Sequence, residues 1–162
     1  MEKQPDIYVA IIEDDPEIRQ LYTLLLKGSS GFVCKHSFDS AEAALSTITP
    51  GAVDVTLMDV DLPGISGIEC TKKLRAIDPD IDILMLTIHE DDETLFDALC
   101  AGASGYLLKD MRPSDVFEAI LEARQGGAPM SPRMARKVIH AFRVPVESPL
   151  SEREQEVLKL LC

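Results

Sequence analysis

Three acidic side chains, Glu13, Asp14 and Asp15, directly follow the apolar run Ile7–Ile12. Asp59 closes a second such run, Thr87 a third, and Lys109 follows a fourth. Carboxylates gathered in one crevice repel one another, and their pKa values rise unless a cation neutralises them. A donor set made only of oxygen selects a hard ion. Mg²⁺ takes one or two carboxylates together with waters and substrate phosphate. Neither His nor Cys belongs to the set, which disfavours zinc. Beside such an ion, one carboxylate can attack a phosphorus centre and become an acyl phosphate. A lysine and a threonine hydroxyl would then neutralise and hydrogen-bond the equatorial oxygens of the transferring group. Asp59 suits the nucleophile because it terminates the central strand candidate.

That chemistry requires the surrounding elements to bring these residues together. Apolar, β-rich runs predict strands over 7–12, 32–38, 53–58, 81–87 and 104–108, several of them apolar almost throughout, as parallel strands covered on both faces are. Between them lie helix patterns. Residues 16–27 place Ile18, Leu21, Tyr22 and Leu25 on one face behind Pro16. Residues 40–49 do so with Ala41, Ala44, Leu45 and Ile48. Ser66 and Glu69 form a capping-box pattern opening a helix to about 77, and residues 92–101 and 113–125 supply two more. Five βα units in succession predict an α/β fold, a flavodoxin-like (βα)5 doubly wound parallel sheet of strand order 2-1-3-4-5. Open parallel sheets hold their sites outside the carboxyl ends of the strands. Glu13, Asp14, Asp15, Asp59, Thr87 and Lys109 are the residues found there.

Each residue also has a plainer reading. The acidic triplet could be a helix cap, Asp59 a turn residue before Pro63-Gly64, Thr87 a strand residue and Lys109 a solvated strand end. Tyr106 would by default be core. Joint placement at the ends of strands 1, 3, 4 and 5 is what favours a site.

The chain has 162 residues, 46% hydrophobic and 27% charged, a globular composition. Residues 1–126 hold 10 basic and 24 acidic side chains, a net charge of −14, whereas 127–162 hold 6 and 4, a net of +2. So acidic a surface repels phosphate backbones. No apolar run approaches the ~18 residues that span a bilayer. The four cysteines, Cys34, Cys70, Cys100 and Cys162, form no C-x-x-C pair. This suits a reducing cytoplasm, with the first three expected as small buried residues. The segment 127–149 carries one glycine and four prolines and reads as a linker, with a helix suggested by Met134, Val138 and Phe142. Ser151 and Glu154 then form a second capping-box pattern ahead of Val157, Leu158 and Leu161.

The stretches IIEDD, LMDVDLPGISG, MLT and GYLLKD resemble, in order and spacing, the receiver domains of two-component response regulators. The resemblance covers residues 6–125. It implies Mg²⁺-dependent phosphorylation of Asp59 by a sensor histidine kinase. Its metal ligands would be Glu13, Asp14, Asp59 and the main-chain carbonyl of Asp61. Thr87 and Lys109 would bind the phosphoryl group, and Thr87 with Tyr106 would form the switch, Tyr106 turning inward as Thr87 moves. Glu13 stands where Asp is commoner. Asp61 and His89 stand two residues after Asp59 and Thr87, where the family tunes phosphoryl lifetime.

The C-terminal LSEREQEVLKLLC resembles the opening of the LuxR-type helix-turn-helix of the NarL/FixJ class. The implied organisation is a receiver domain over 1–126, a linker over 127–149 and the first helix of a DNA-binding domain over 150–162. DNA is expected only through a C-terminal domain that this sequence does not contain. The resemblance further implies a cytoplasmic signalling phosphoacceptor rather than an enzyme, without a membrane partner. A homodimer is expected on activation, through helix 1, helix 5 or the helix 4–strand 5–helix 5 face. Two other classes stay open. One is a pseudo-receiver that interacts without phosphate. The other is a haloacid-dehalogenase-type phosphatase, whose D-x-D motif Asp59-Val60-Asp61 is similar to, although that motif usually ends the first strand.

Overall fold

The computed structural model describes residues 4–143 and 152–161. Five parallel strands, β1 (Ile7–Ile12), β2 (Phe32–Phe38), β3 (Val55–Asp59), β4 (Asp82–Thr87) and β5 (Gly105–Leu108), form one sheet in the order β2-β1-β3-β4-β5. This is the flavodoxin-like arrangement expected from the sequence. Strands β3, β4 and β5 each begin later than their apolar runs suggest. Asp59 and Thr87 are the last residues of their strands.

The two-residue period of a strand sends alternate side chains to opposite faces. Val9 and Ile11 of β1, Val55 and Leu57 of β3, Leu84 and Leu86 of β4 and Leu107 of β5 line one face. Helices α1 (Pro16–Lys27) and α5 (Pro113–Arg124) cover it with Tyr22, Leu26, Val116 and Ile120. Ala10, Ile12, Met58, Ile83, Met85 and Tyr106 line the other. It is covered by α2 (Ala41–Thr47), α3 (Gly67–Ile77) and α4 (Asp92–Ala101) through Ala41, Ala44, Cys70, Leu74, Leu95 and Ala98. Burying a large aliphatic side chain contributes about 1.5–3 kcal/mol, so this two-sided burial drives the fold.

Two expectations about burial are corrected. Leu21 of α1 is 50% exposed, and Leu26 takes the buried position instead. The α1 face is therefore rotated relative to the assumed one, because contact with β1 and β2 sets its phase. Among the first three cysteines only Cys70 is buried, while Cys34 and Cys100 are partly exposed. Cys34 lies on the edge strand β2, and Cys100 is the last residue but one of α4.

Beyond α5 the chain returns to the sheet. Tyr106 N donates to Pro129 O at 2.9 Å, and Met130 forms a parallel bridge with Tyr106. The run 132–143, within the proline-rich stretch, is helix α6 (Pro132–Arg143), with Met134 fully buried against the α2–α4 side of the core. Helix α7 (Glu152–Leu161) buries Val157 between Phe96 of α4 and Ala141 of α6. The Ser151 half of the second capping pattern, and Cys162, lie outside the described residues.

The first capping pattern is half made. Ser66 Oγ accepts from Glu69 N at 3.1 Å, and no return bond from the Glu69 side chain accompanies it among the described residues. The next residue, Gly67, fixes how closely α3 approaches β3. A Cβ there would lie 1.8 Å from the main-chain oxygen of Asp59. Helix propensity alone favours alanine over glycine by about 0.5–1 kcal/mol, so the clash and the propensity act in opposite directions. Gly67→Ala is expected to destabilise the chain by about 1–3 kcal/mol, read as a lowered urea midpoint. An unchanged or raised midpoint would mean that α3 can withdraw at no cost.

Candidate functional site

The site forms at the carboxyl ends of β1, β3 and β4, with Lys109 just beyond β5. Glu13 and Asp59 are each only 3% exposed. Two carboxylates this deep require a counter-charge, since an unpaired buried charge is costly. Lys109 supplies it. Its Nζ lies 3.0 Å from Glu13 Oε2 and 3.2 Å from Asp59 Oδ1. Because β4 separates β3 from β5, the lysine stem must cross the end of β4 to make this contact. Its root is fixed there by Lys109 N donating to Thr87 O at 2.9 Å.

One ammonium against two buried carboxylates leaves negative charge in excess. Burial, then the charge of Glu13, push the Asp59 carboxyl up to about 7, although Lys109 pulls it down. Burial opposes the Lys109 ammonium, but its bond to Glu13 and the charges of Asp59 and Glu13 outweigh burial and raise its pKa. Carboxylate oxygens of Glu13, Asp14 and Asp59 all lie within 4.8 Å of one another, with Asp14 exposed on the outer side. An all-oxygen set carrying excess negative charge fits a hard divalent cation.

The acidic triplet divides by role. Asp15 caps α1, its Oδ1 accepting from Glu17 N at 2.9 Å and Ile18 N at 3.3 Å. It is thus spent on the helix, and Glu13 and Asp14 are left for the site. Arg19, which the sequence reading passed over, holds the loop beneath them. Its Nη1 donates to Glu13 O at 2.8 Å and Asp14 O at 3.3 Å. An arginine five or six residues after an acidic pair, one turn into the helix, is the signal that could have identified it.

The other sequence-derived residues surround this centre. Asp59 Oδ1 also accepts from Asp61 N at 3.2 Å. The Asp61 side chain turns to His89, with Oδ2 2.6 Å from Nε2. Thr87 is buried, and its hydroxyl accepts from His89 N at 3.0 Å. Tyr106 is wholly buried, its hydroxyl donating to His89 O at 2.8 Å. Burial chiefly, with the charge of Asp91, pushes that phenol up to about 12, against a smaller opposing effect of Thr87. The ring thus already occupies the inward position, beneath residues 129–134 of the returning chain. Glu13, Asp14, Asp59 and Lys109 converge directly. Thr87, Asp61 and Tyr106 meet instead at His89.

A family model described as the response regulator receiver domain matches residues 9–121. The transcriptional regulatory protein DegU of Brevibacillus brevis is 33% identical over 150 residues, which are 93% of this chain and 62% of that protein. The chain therefore spans under two thirds of DegU's length. The response regulator UvrY of Escherichia coli K12 is 31% identical over 160 residues, covering 96% of this chain and 73% of UvrY. Among solved structures, a LuxR-family two-component response regulator from Aurantimonas superposes with a TM-score of 0.75 at 30% identity, over 86% of this chain and 99% of that one. The receiver domain of a NarL regulator from Mycobacterium tuberculosis gives a TM-score of 0.69 at 27% identity, over 75% and 98%.

A carboxyl held at about 7 in the fold, against ~3.9 in an unfolded chain, binds a proton in the folded state that the unfolded state has already released. Metal-free stability should therefore fall as pH rises from about 4 to 7 on this account. Asp59→Asn should flatten that slope and leave the metal-free chain more stable than wild type at pH 8. Urea unfolding at pH 5 and pH 8 in EDTA checks both statements. Parallel slopes in the two proteins would place the excess charge elsewhere.

Proposed function

This chain belongs to the response regulator receiver domain family, and on that premise we propose that Asp59 is its phosphoacceptor, with a histidine kinase as donor. The observation that carries this reading is the bridge from Lys109 to the two buried carboxylates, Glu13 and Asp59. A carboxylate oxygen of Asp59 attacks the phosphorus of a phosphohistidine. A P–O bond forms as the P–N bond breaks, and the electron pair returns to the imidazole nitrogen, which is then protonated. Lys109, already beside Asp59, neutralises the phosphoryl oxygens as charge builds on them. The Thr87 hydroxyl, one strand away at the end of β4, supplies a further hydrogen bond.

The carboxylates of Glu13, Asp14 and Asp59, with the main-chain carbonyl of Asp61, would hold Mg²⁺. When bound, it offsets the negative charge that the carboxylates and the phosphoryl group bring together. The role of the protein is signalling, through a cycle in which Asp59 is modified and restored, in the cytoplasm. A C-terminal DNA-binding effector would read the state of residues 1–126, and pairing of two chains would accompany activation. Residues 127–149 would link the two domains, and α7 would be the first helix of the effector. The names of DegU, as a transcriptional regulatory protein, and UvrY, as a response regulator, support this output.

The test is an intact-mass measurement after incubation with Mg²⁺ and a small acyl phosphate. Wild type should gain one phosphoryl group, and Asp59→Asn or EDTA should prevent the gain. Mg²⁺ at ten times its dissociation constant should also stabilise wild type by about 1.4 kcal/mol, read as a raised Tm, with a smaller rise in Asp59→Asn. A wild-type chain that gains neither mass nor Tm would fit an interaction module working without phosphate.

A further inference from the structure

The loop 88–91, between Thr87 and α4, has no apolar anchor of its own. Its one large apolar side chain, Ile88, is 73% exposed. Polar contacts fix it instead, from two sides. On the site side, His89 bonds Thr87 and Asp61 and receives the Tyr106 hydroxyl. On the far side, α6 holds the next residue. Arg133 Nη1 donates to Glu90 Oε1 at 2.9 Å, and Lys137 Nζ donates to the main-chain oxygen of Glu90. Lys137 also pairs with Asp92 Oδ1 at 2.8 Å, at the first residue of α4. Met134 lies between the two cations in sequence and is fully buried, so α6 cannot slide without withdrawing it from the core.

We infer that Lys137, seconded by Arg133, is a positioning residue for the phosphoryl site, acting through the backbone of Glu90 on His89 and Thr87. This rests on the reading of Asp59 as phosphoacceptor. In the arrangement seen, the Thr87 hydroxyl accepts from His89 N. To serve a phosphoryl group on Asp59 it must turn towards that group, and the peptide of His89 must give way. The grip of α6 on Glu90 resists this movement. Phosphoryl acceptance and α6 docking then oppose each other, and the coupling is reciprocal. Its size is bounded by exposure. Asp92 is largely solvated, and ion pairs of that kind contribute little, so the effect is a modest factor in rate.

Phosphorylation by a small acyl phosphate with Mg²⁺ is followed by intact mass for the whole chain and for Lys137→Met, Lys137→Arg and Arg133→Gln. Amide exchange of residues 88–91 is measured in the same set. Lys137→Met should accept the phosphoryl group about 2- to 5-fold faster than wild type and exchange faster across the loop. Arg133→Gln should shift both in the same direction by less, and Lys137→Arg should restore both. The Tm rise produced by Mg²⁺ should be unchanged in every variant, since neither cation touches Glu13, Asp14 or Asp59. An unchanged phosphorylation rate in Lys137→Met, with the group still arriving on Asp59, overturns the inference. If wild type accepts no phosphoryl group, the phosphoacceptor reading fails by itself. Loop exchange then decides the positioning role, and unchanged exchange in Lys137→Met overturns it as well.

Discussion

Two buried carboxylates facing one ammonium set the terms for much of this structure. Glu13 and Asp59 lie at the carboxyl ends of adjacent strands, and nothing short of a cation lets both remain ionised there. Lys109 reaches them only because β5 stops one residue earlier and β4 ends in Thr87, whose carbonyl receives the lysine amide. Strand lengths in the sheet are thus tied to charge placement at its edge. Burial, then the excess negative charge that remains, raise the Asp59 carboxyl, and that charge gives a divalent cation or a phosphoryl-transfer reaction something to act upon.

Around that centre the fold spends ordinary devices on keeping a few main-chain atoms in place. Asp15 satisfies the first amides of α1, while Arg19 from the next turn ties down the carbonyls of Glu13 and Asp14. Gly67 lets α3 close directly on the carbonyl of Asp59. These residues stand outside the cluster of Glu13, Asp14, Asp59 and Lys109, yet each limits how far the acidic side chains can move. A site that must present carboxylates at fixed separation needs such support, because a displaced backbone moves the whole side chain.

The face formed by α4 and β5 is not bare. Residues 129 and 130 add to the edge of β5, α6 covers Tyr106 and grips the loop after Thr87, and α7 seats Val157 against Phe96. Tyr106 is therefore inward and hydrogen-bonded in an arrangement where the Thr87 hydroxyl engages His89. The sequence had suggested that an inward ring follows movement of Thr87. Here the buried ring lies in one core cluster with Met130 and Met134 of the returning chain.

Strand alternation, cap residues and the order of the site residues were legible because they are local. Ala10 and Ile12 against Val9 and Ile11, or Ser66 before Gly67, can be read from a few neighbours, and residues at strand ends fall into one row once the sheet order is known. The phase of α1 was not legible, since a helix with apolar residues at 18, 21, 22, 24, 25 and 26 offers more than one face, and only contact with the sheet chose Leu26 over Leu21. The division of the acidic triplet into one cap and two site carboxylates likewise depended on where α1 begins. The contact of Lys137 with Glu90 spans 47 residues. Sequence by itself determined the sheet and the carboxylates and lysine at its edge, because hydrophobic period and strand termini are properties of short segments. Tertiary structure alone decided which charges pair, because a charged side chain takes whichever partner the completed fold brings within reach.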